Sequence, residues 1–517
     1  MKIESSLSSA SDIYPWQKRC LESWQENGTR GIVQAVTGTG KSRLALEAAI
    51  RLNEKYSDLL RVKIVVPTVN LALQWKRTIR IYVSEQSDIG FVGGGVRKII
   101  DHDWTIYVIN SARQKITADI LRDMREGFHV FLIADECHHY GSPVNRKIFN
   151  FQNSHAYDPM LYHSMGLSAT PHCENFQSVL TKRIGPLIYT YGLDGATADG
   201  TISNYAIYRV SLNFTNEELA EYENISNQIR ILHFQFMEKH PYLAQSATEE
   251  FFYTLRRLAK EEGEGSVSDA LFNAYLLRKR TCIMAKNRIR CVSRILKEIE
   301  GQVLIFCERI EQAEGLRAAL ANEGIPRIGM YHSKMTDSAR KLSLERFRSH
   351  EDRILISCKA LDEGLDVPDV ATAIVMSGSS VGRQHIQRLG RILRVSPEKP
   401  IARLFYCYVW ESSEESSYVS EDNTRVCNLK YLAGDDEIIN ETYLESAQIL
   451  LDRYSAENKP PEMIRHISGI LLSSQLSSDW LRSPEELRKC RESCLKTSDK
   501  NYFMVMEMLA KIRTKRS

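Results

Sequence analysis

The sequence predicts an α/β protein with two lobes, each built on a parallel sheet, plus a helical insert between them and a mostly helical C-terminal region. Three observations carry this. Short Val/Ile-rich runs alternate with helix-length stretches over residues 1–205; the alternation stops over 206–300; it returns over 301–412. Strands of a parallel sheet are covered on both faces, so they read as continuous apolar runs rather than alternating ones. A chain of 517 residues also exceeds what one hydrophobic core organises.

Taken in order, GIVQA (31–35), KIVVP (63–67), WTIYVIN (104–110) and HVFLIADE (129–136) read as strands separated by helical lengths. These define a first lobe, 1–205. The segment 206–300 has helical periodicity. Thr215 with Glu218 fits a capping box, EEGEGSVSD (261–269) reads as a loop, and 271–300 reads as one long amphipathic helix. QVLIFC, RIGMYH, RILISC, ATAIVM and ARLFYCYVW then supply the strands of a second lobe, 301–412. The remainder, 413–517, opens on the acidic, Ser-rich ESSEESSYVSEDN. That composition predicts an exposed linker, followed by helices and the basic tail KIRTKRS.

Composition excludes more than it identifies. At 43% hydrophobic and 26% charged residues the chain has an ordinary globular make-up. No apolar run reaches the roughly 18 residues of a membrane span, and MKIESSLSSASDIYPW lacks a secretory core. A cytoplasmic protein is expected, or a nuclear one in a eukaryotic host, with no membrane partner. The formal net charge of +3 is too mild to announce a nucleic-acid binder. Eleven scattered cysteines form no CxxC pair, so reduced thiols are expected rather than a zinc or iron–sulfur site.

The strand GIVQA runs into VTGTGKS (36–42) and then a helical RLALEAAIRL. This strand–loop–helix order is what a phosphate loop needs. Gly38 and Gly40, with Thr37 and Thr39 between and beside them, let backbone N–H groups turn toward phosphate oxygens, and the helix adds its positive end. Lys41 would reach the β- and γ-phosphates and Ser42 would hold Mg²⁺. Ala35 stands where the general pattern begins with Gly.

A second strand end carries Asp135-Glu136-Cys137-His138. An acid at the C-terminal edge of a buried parallel strand lies where such sheets bind ligands. Asp135 would bind Mg²⁺ and Glu136 would orient and deprotonate the attacking water. Taken alone, the pair also fits a helix N-cap with a further acid favourable to the dipole.

Through these residues the chain resembles the DEAD/DEAH-box helicases of superfamily 2 over residues 13–410. DECH is their motif II. VVPTVNLALQW (65–75), VINSARQ (108–114), GLSATP around Ser168-Ala169-Thr170, LIFCERIEQAEGL (304–316), ISCKALDEGLDVPD (356–369) and QRLGRILR (387–394) match motifs Ia, Ic, III, IV, V and VI in order. The resemblance implies two RecA-like P-loop lobes and hydrolysis of ATP with Mg²⁺. By the same resemblance Gln17 reads adenine, as in a Q motif, and Gly364 and Asp366 of motif V belong to the nucleotide site. Arg391 and Arg394 are arginine fingers. His138, Ser168, Thr170, Gln387 and Arg388 couple hydrolysis to lobe movement. Arg388, Arg391 and Arg394 recur every three residues, so they share one helix face. A solvated basic face is the ordinary reading of such a run; motif V just ahead of it favours the finger reading.

The resemblance also implies a nucleic-acid track contacting Pro67, Thr68, Ser111, Ser333, Ser357 and Cys358, mainly through phosphates. Cys358 stands where the family usually has Thr, which removes a hydroxyl. Trp75 reads as a core aromatic, with base stacking as the alternative. RKRTCIMAKNRIR (278–290) has six basic residues in 13, which fits either a clamp on nucleic acid or a partly solvated helix.

Within the superfamily, ALDEGLDVPDVATAIVMSGSSVGRQHIQRLGRILR looks most like XPB-type DNA helicases and the helicase subunits of type III restriction enzymes. DNA as track and 3′→5′ travel are what this implies. Two departures stand out. The Q-motif position falls at residue 17, so an N-terminal damage-recognition domain is not expected, and no RED tripeptide occurs. Translocation without unwinding stays open, as do two other readings: an RNA helicase of the same chemistry, and an ATP-switched scaffold whose C-terminal helices recruit a nuclease or defence partner.

Overall fold

A computed structural model describes residues 13–93, 102–173, 175–203, 205–246, 248–358, 370–377, 402–415, 426–457, 461–472, 479, 482 and 484–516. The chain divides into two compact units, the first ending at Asn204 and the second beginning at Tyr205.

The first unit is built on a seven-stranded sheet in the order β3-β4-β2-β5-β6-β1-β7. The strands are β1 Arg30–Ala35, β2 Leu60–Val66, β3 Ile89–Val92, β4 Trp104–Val108, β5 His129–Asp135, β6 Tyr162–Ser168 and β7 Leu187–Tyr191. Every neighbouring pair is parallel. The four strands expected from sequence are present; β3, β6 and β7 are additional. β6 is fully buried but reads YHSMGLS, with His, two Ser and Gly diluting the apolar signal. It nevertheless sits between β1 and β5. Helices α1 (Pro15–Glu26), α2 (Lys41–Lys55), α3 (Val69–Tyr82) and α4 (Ile109–Arg125) cover the sheet. In α3, Ala72, Trp75 and Ile79 are the buried positions, spaced three and four apart as one apolar face requires.

The second unit holds an eight-stranded sheet, β10-β11-β9-β12-β13-β8-β14-β15. Its strands are β8 Tyr205–Leu212, β9 Val303–Cys307, β10 Ile328–Tyr331, β11 Ile354–Cys358, β12 Thr372–Val375, β13 Ala402–Val409, β14 Val426–Leu432 and β15 Glu437–Asn440. All pairs are parallel except the edge hairpin β14–β15.

Three features differ from the sequence reading. The stretch 206–212, expected at the start of a helical insert, belongs with Tyr205 to a strand that pairs with β13 from Tyr205–Ala402 to Leu212–Val409. It is buried over nearly all its length, so its apolar run carried no alternation to mark it as a strand. The long helix expected over 271–300 is two helices, Val267–Ile283 and Lys286–Glu298, broken where Ala285 leaves helical geometry (φ −50°, ψ 125°). Finally, Glu414, in the segment expected to be an exposed linker, is buried against Arg288.

Helices 216–239, 248–262 and 267–283 surround a small core of their own, including Ile225, Ile229, Phe236, Leu255 and Leu271. The C-terminal helices 441–456, 461–472, 484–493 and 497–516 do not stand apart. Leu450, Tyr454, Ile467, Leu487 and Leu509 share one apolar cluster with sheet residues Leu429 and Tyr431. Among the described residues, no helix is long and apolar enough to cross a membrane.

Candidate functional site

The site is assembled at the C-terminal ends of β1, β5 and β6, three neighbouring strands whose register brings Gln34 opposite Ser168 and Asp135 opposite Leu167. From β1 the chain turns through Gly38 and Gly40, at φ 90° and 89°. At Gly40 a side chain meets the left-handed backbone penalty and also the Gln17 amide nitrogen, 3.0 Å from where a Cβ would stand. Thr39 Oγ1 donates to Val36 O at 2.7 Å, which folds the loop on itself. Lys41, 9% exposed, donates from Nζ to Ala35 O at 2.9 Å. Ser42 follows in the first turn of α2, half-buried. Thr37 Oγ1 is buried with no hydrogen-bond partner.

Gln17 reaches the loop from α1. Its Nε2 donates to Gly40 O at 3.0 Å and its Oε1 accepts from Tyr14 N at 2.9 Å. The helix is pinned for this. Trp24 Nε1 donates to Ser164 O at 2.9 Å, and Trp16 stacks on Tyr191 with ring centroids 4.6 Å apart.

On β5, Asp135 is 7% exposed. Burial pushes its carboxyl above the usual carboxylate range; a hydrogen bond from Trp75, the Lys41 charge and the Glu136 N–H oppose this. Trp75 Nε1 donates to Asp135 Oδ2 at 2.7 Å, and Glu136 N donates to Oδ1 at 3.1 Å. Trp75 is therefore core, at 1% exposure, but core with a polar task. Glu136 adopts the left-handed region, φ 48° and ψ 53°, uncommon for a non-glycine residue. Behind it, His138 Nδ1 lies 3.0 Å from Ser168 Oγ, and Ser168 Oγ donates to Glu136 Oε2 at 3.5 Å. Thr170 N donates to the same Ser168 oxygen at 3.0 Å. Thr170 Oγ1 is buried without a partner. Cys137 between them is buried, which pushes its thiol well up and leaves it an inert core residue.

Sequence reading named the residues of the phosphate loop, DECH and SAT, but not Trp16 and Trp24, which hold the Gln17 helix, nor Tyr140. That side chain is fully buried, its hydroxyl 2.8 Å from Val65 O and 2.6 Å from Asp135 O. Its only sequence signal is a Tyr two residues past DECH.

The remaining expected residues are spread more widely. Thr68 N-caps α3, accepting from Leu71 N at 3.3 Å; Pro67 and Thr68 are half-buried, as is Ser111 on α4. Ser333 is exposed after β10. Ser357 and Cys358 are at 1% and 5% exposure inside β11, so neither side chain is presented to a surface strand. Gly364, Asp366, Gln387, Arg388, Arg391 and Arg394 lie outside the described residues. The basic segment 278–290 is largely committed: Arg288 is buried with Glu414, and Lys279, Arg280 and Lys286 pair with Glu308, Glu311 and Glu217.

A phosphate loop on one strand and an acidic pair two strands away define the lobe of a P-loop nucleoside triphosphatase. Residues 11–173 match the family described as type III restriction enzyme, res subunit, and residues 287–396 match the helicase conserved C-terminal domain. The chain is 27% identical over 390 residues to the DNA 3′-5′ translocase XPB2 of Sulfurisphaera tokodaii, covering 74% of this chain and 79% of that one. It is 24% identical over 409 residues to the DNA 3′-5′ helicase XPB of Mycobacterium tuberculosis, covering 78% of this chain and 62% of the other. Among solved structures, the Pyrococcus furiosus Hef helicase domain aligns with a TM-score of 0.49 at 15% identity, over 80% of this chain and 98% of that one. The chain belongs to helicase superfamily 2, with XPB-type relatives, and is an ATP hydrolase of the helicase kind.

Proposed function

We propose that the protein is an ATP-driven DNA translocase or helicase that travels 3′→5′, with Lys41, Asp135 and Glu136 at the reacting triphosphate. The observation that carries this reading is the meeting, on one sheet edge, of a glycine loop, a buried amine and a buried carboxylate whose neighbour Glu136 is held in a left-handed turn. DNA as track and the 3′→5′ direction are supported by the XPB-type relatives, a DNA 3′-5′ translocase and a DNA 3′-5′ helicase.

Residue roles follow from chemistry. The P-loop N–H groups and Lys41 bind β- and γ-phosphates. Asp135 and Ser42 would hold Mg²⁺, which neutralises charge on the phosphate oxygens. The residues fit that ion: a buried carboxylate and a hydroxyl at the start of the helix after the glycine loop are the few protein oxygens Mg²⁺ ordinarily takes beside substrate phosphates. The orphaned Thr37 hydroxyl and the buried Asp135 carboxylate are groups that gain a partner when a metal–triphosphate is present. Glu136 takes the proton of the attacking water. Arg391 and Arg394 stabilise charge on the γ-phosphate late in the reaction. Gln17 selects adenine. Ser168 and Thr170 of motif III, with His138, couple the state of Glu136 to lobe movement, and Gln387 and Arg388 belong to the same relay. Gly364 and Asp366 contact the nucleotide from motif V. Pro67, Thr68, Ser111 and Ser333 contact the strand backbone.

The test is ATP hydrolysis by the purified chain with single-stranded DNA, duplex DNA and RNA, beside Glu136→Gln. DNA stimulation with retained ATP binding but lost turnover in the variant is the expected result. Normal hydrolysis by Glu136→Gln sinks the catalytic assignment, and stimulation by RNA alone sinks DNA as the track.

A further inference from the structure

Trp75 is buried in the core, and its indole N–H is spent on Asp135. A buried indole usually finds an acceptor, and for Trp24 it is a backbone carbonyl, Ser164 O. Here the acceptor is a carboxylate oxygen, Oδ2, at 2.7 Å. A charge-assisted bond of this kind fixes the carboxylate plane, and with Oδ1 accepting from Glu136 N the group has one orientation.

The position of Trp75 in the chain gives that bond a second meaning. Trp75 lies two turns into α3, the helix capped by Thr68. On the other side of Pro67–Thr68, Val65 at the end of β2 is tied to Asp135 by Tyr140, whose hydroxyl bridges Val65 O and Asp135 O. The short segment that carries Pro67 and Thr68 is thus held at both ends on one residue: through the Asp135 backbone upstream and through its side chain downstream.

We propose that Trp75 is a positioning residue that orients the Asp135 carboxylate for Mg²⁺ and couples nucleic-acid contact at Pro67–Thr68 to metal affinity. This rests on Asp135 being the Mg²⁺ ligand. Any displacement of α3 by a bound strand moves the indole donor, and with it the carboxylate. Linkage then requires the reverse: Mg²⁺·ATP must alter affinity for the strand by the same factor.

The experiment measures binding of a fluorescent ATP analogue to the full chain as Mg²⁺ is titrated, with and without a poly-dT oligonucleotide. In wild type the oligonucleotide shifts the Mg²⁺ midpoint. In Trp75→Phe, which keeps a ring and deletes the donor, the midpoint rises about tenfold, the usual scale for losing a group that orients a metal ligand. The oligonucleotide shift shrinks, and analogue binding without Mg²⁺ stays as in wild type. A variant with the wild-type midpoint and the wild-type oligonucleotide shift overturns the inference. Asp135→Asn separates the two levels. If it leaves the Mg²⁺ dependence untouched, the metal-site reading itself fails; if it raises the midpoint while Trp75→Phe does not, only the role of Trp75 fails. Should Trp75→Phe not fold, the ¹⁵N-indole spectrum of wild-type protein replaces it. One of six indole N–H signals must move as Mg²⁺ is added at saturating ATP and be displaced in Asp135→Asn, and a spectrum indifferent to both sinks the proposal.

Discussion

Each lobe buries charged groups, and the two clusters differ in what they lack. In the second lobe Arg288 is buried and answered at all three nitrogens: Nε donates to Cys282 O at 2.9 Å, Nη1 to Met376 O and to Cys407 O at 2.7 Å, and Nη2 to Glu414. Glu414 also accepts from Val409 N at 3.2 Å. The ends of β12 and β13, the 282 helix end and the 409–414 turn are stitched by one guanidinium. In the first lobe, the sheet edge buries Lys41 and Asp135 beside hydroxyls of Thr37 and Thr170 that have no partner. Burial of charge alone does not distinguish structure from function. At the sheet edge of the first lobe the two partnerless hydroxyls, Thr37 Oγ1 and Thr170 Oγ1, lie beside the motif residues, whereas every nitrogen of Arg288 has an acceptor.

Substitutions break this comparison in opposite ways. Glu136→Gln keeps the shape of the edge and removes the base, so turnover should fall by about 10²–10⁴-fold while the urea midpoint stays close to wild type. Arg288→Met should do the reverse for folding, costing about 3–5 kcal/mol because the buried Glu414 carboxylate loses its guanidinium counter-charge. Pairing it with Glu414→Leu should recover most of that loss. A stability loss in Arg288→Met that the double variant does not relieve means the guanidinium acts through its carbonyl contacts rather than through the ion pair.

A third buried cluster sits at the far end of the first sheet and sharpens the rule. His163 on β6 is 3% exposed, with Nδ1 2.6 Å from Thr29 Oγ1 and Nε2 3.1 Å from His129 Nδ1. Burial, with the nearby His129 and Lys55 charges, lowers its pKa to about 4. A base whose folded pKa lies below its unfolded value near 6.5 leaves the unfolded chain holding more protons between those limits. Its contribution is therefore complete above pH 6.5 and is lost as pH falls toward 4. Between pH 7.5 and 5 the first lobe should lose about 2 kcal/mol on this account. Tryptophan emission follows it, since Trp16, Trp24, Trp75 and Trp104 lie in that unit. In His163→Asn this part of the acid slope should vanish. An unchanged slope assigns it to other groups.

The sequence was legible where local pattern and chemistry coincide. The phosphate loop, DECH and SAT announce themselves because phosphate binding needs specific residue types at fixed spacing, and their strands are continuous Val/Ile runs. It was least legible where tertiary context overrides composition. β8 has no alternation because nearly every position is buried. Glu414 sits in an acidic, serine-rich run that reads as solvated, and only a partner 126 residues away makes it core. Trp75 was readable as core, but the carboxylate it serves is 60 residues downstream. No window along the chain contains both.

The smallest effect tests whether the site stores strain. Glu136 holds φ 48° and ψ 53°, where a Cβ crowds the following carbonyl at a cost of about 1–2 kcal/mol. Glu136→Ala and Glu136→Gly both delete the carboxylate and its contacts with Ser168 and His138, and both should lack turnover. They differ only in the Cβ. If the turn is enforced by the Asp135–Trp75 and Tyr140 contacts around it, the glycine variant should be the more stable by about 1 kcal/mol, offset in part by its freer unfolded chain. Equal stability would mean that the backbone at 136 relaxes once the carboxylate is gone, so that the side chain holds the turn rather than the turn presenting the side chain.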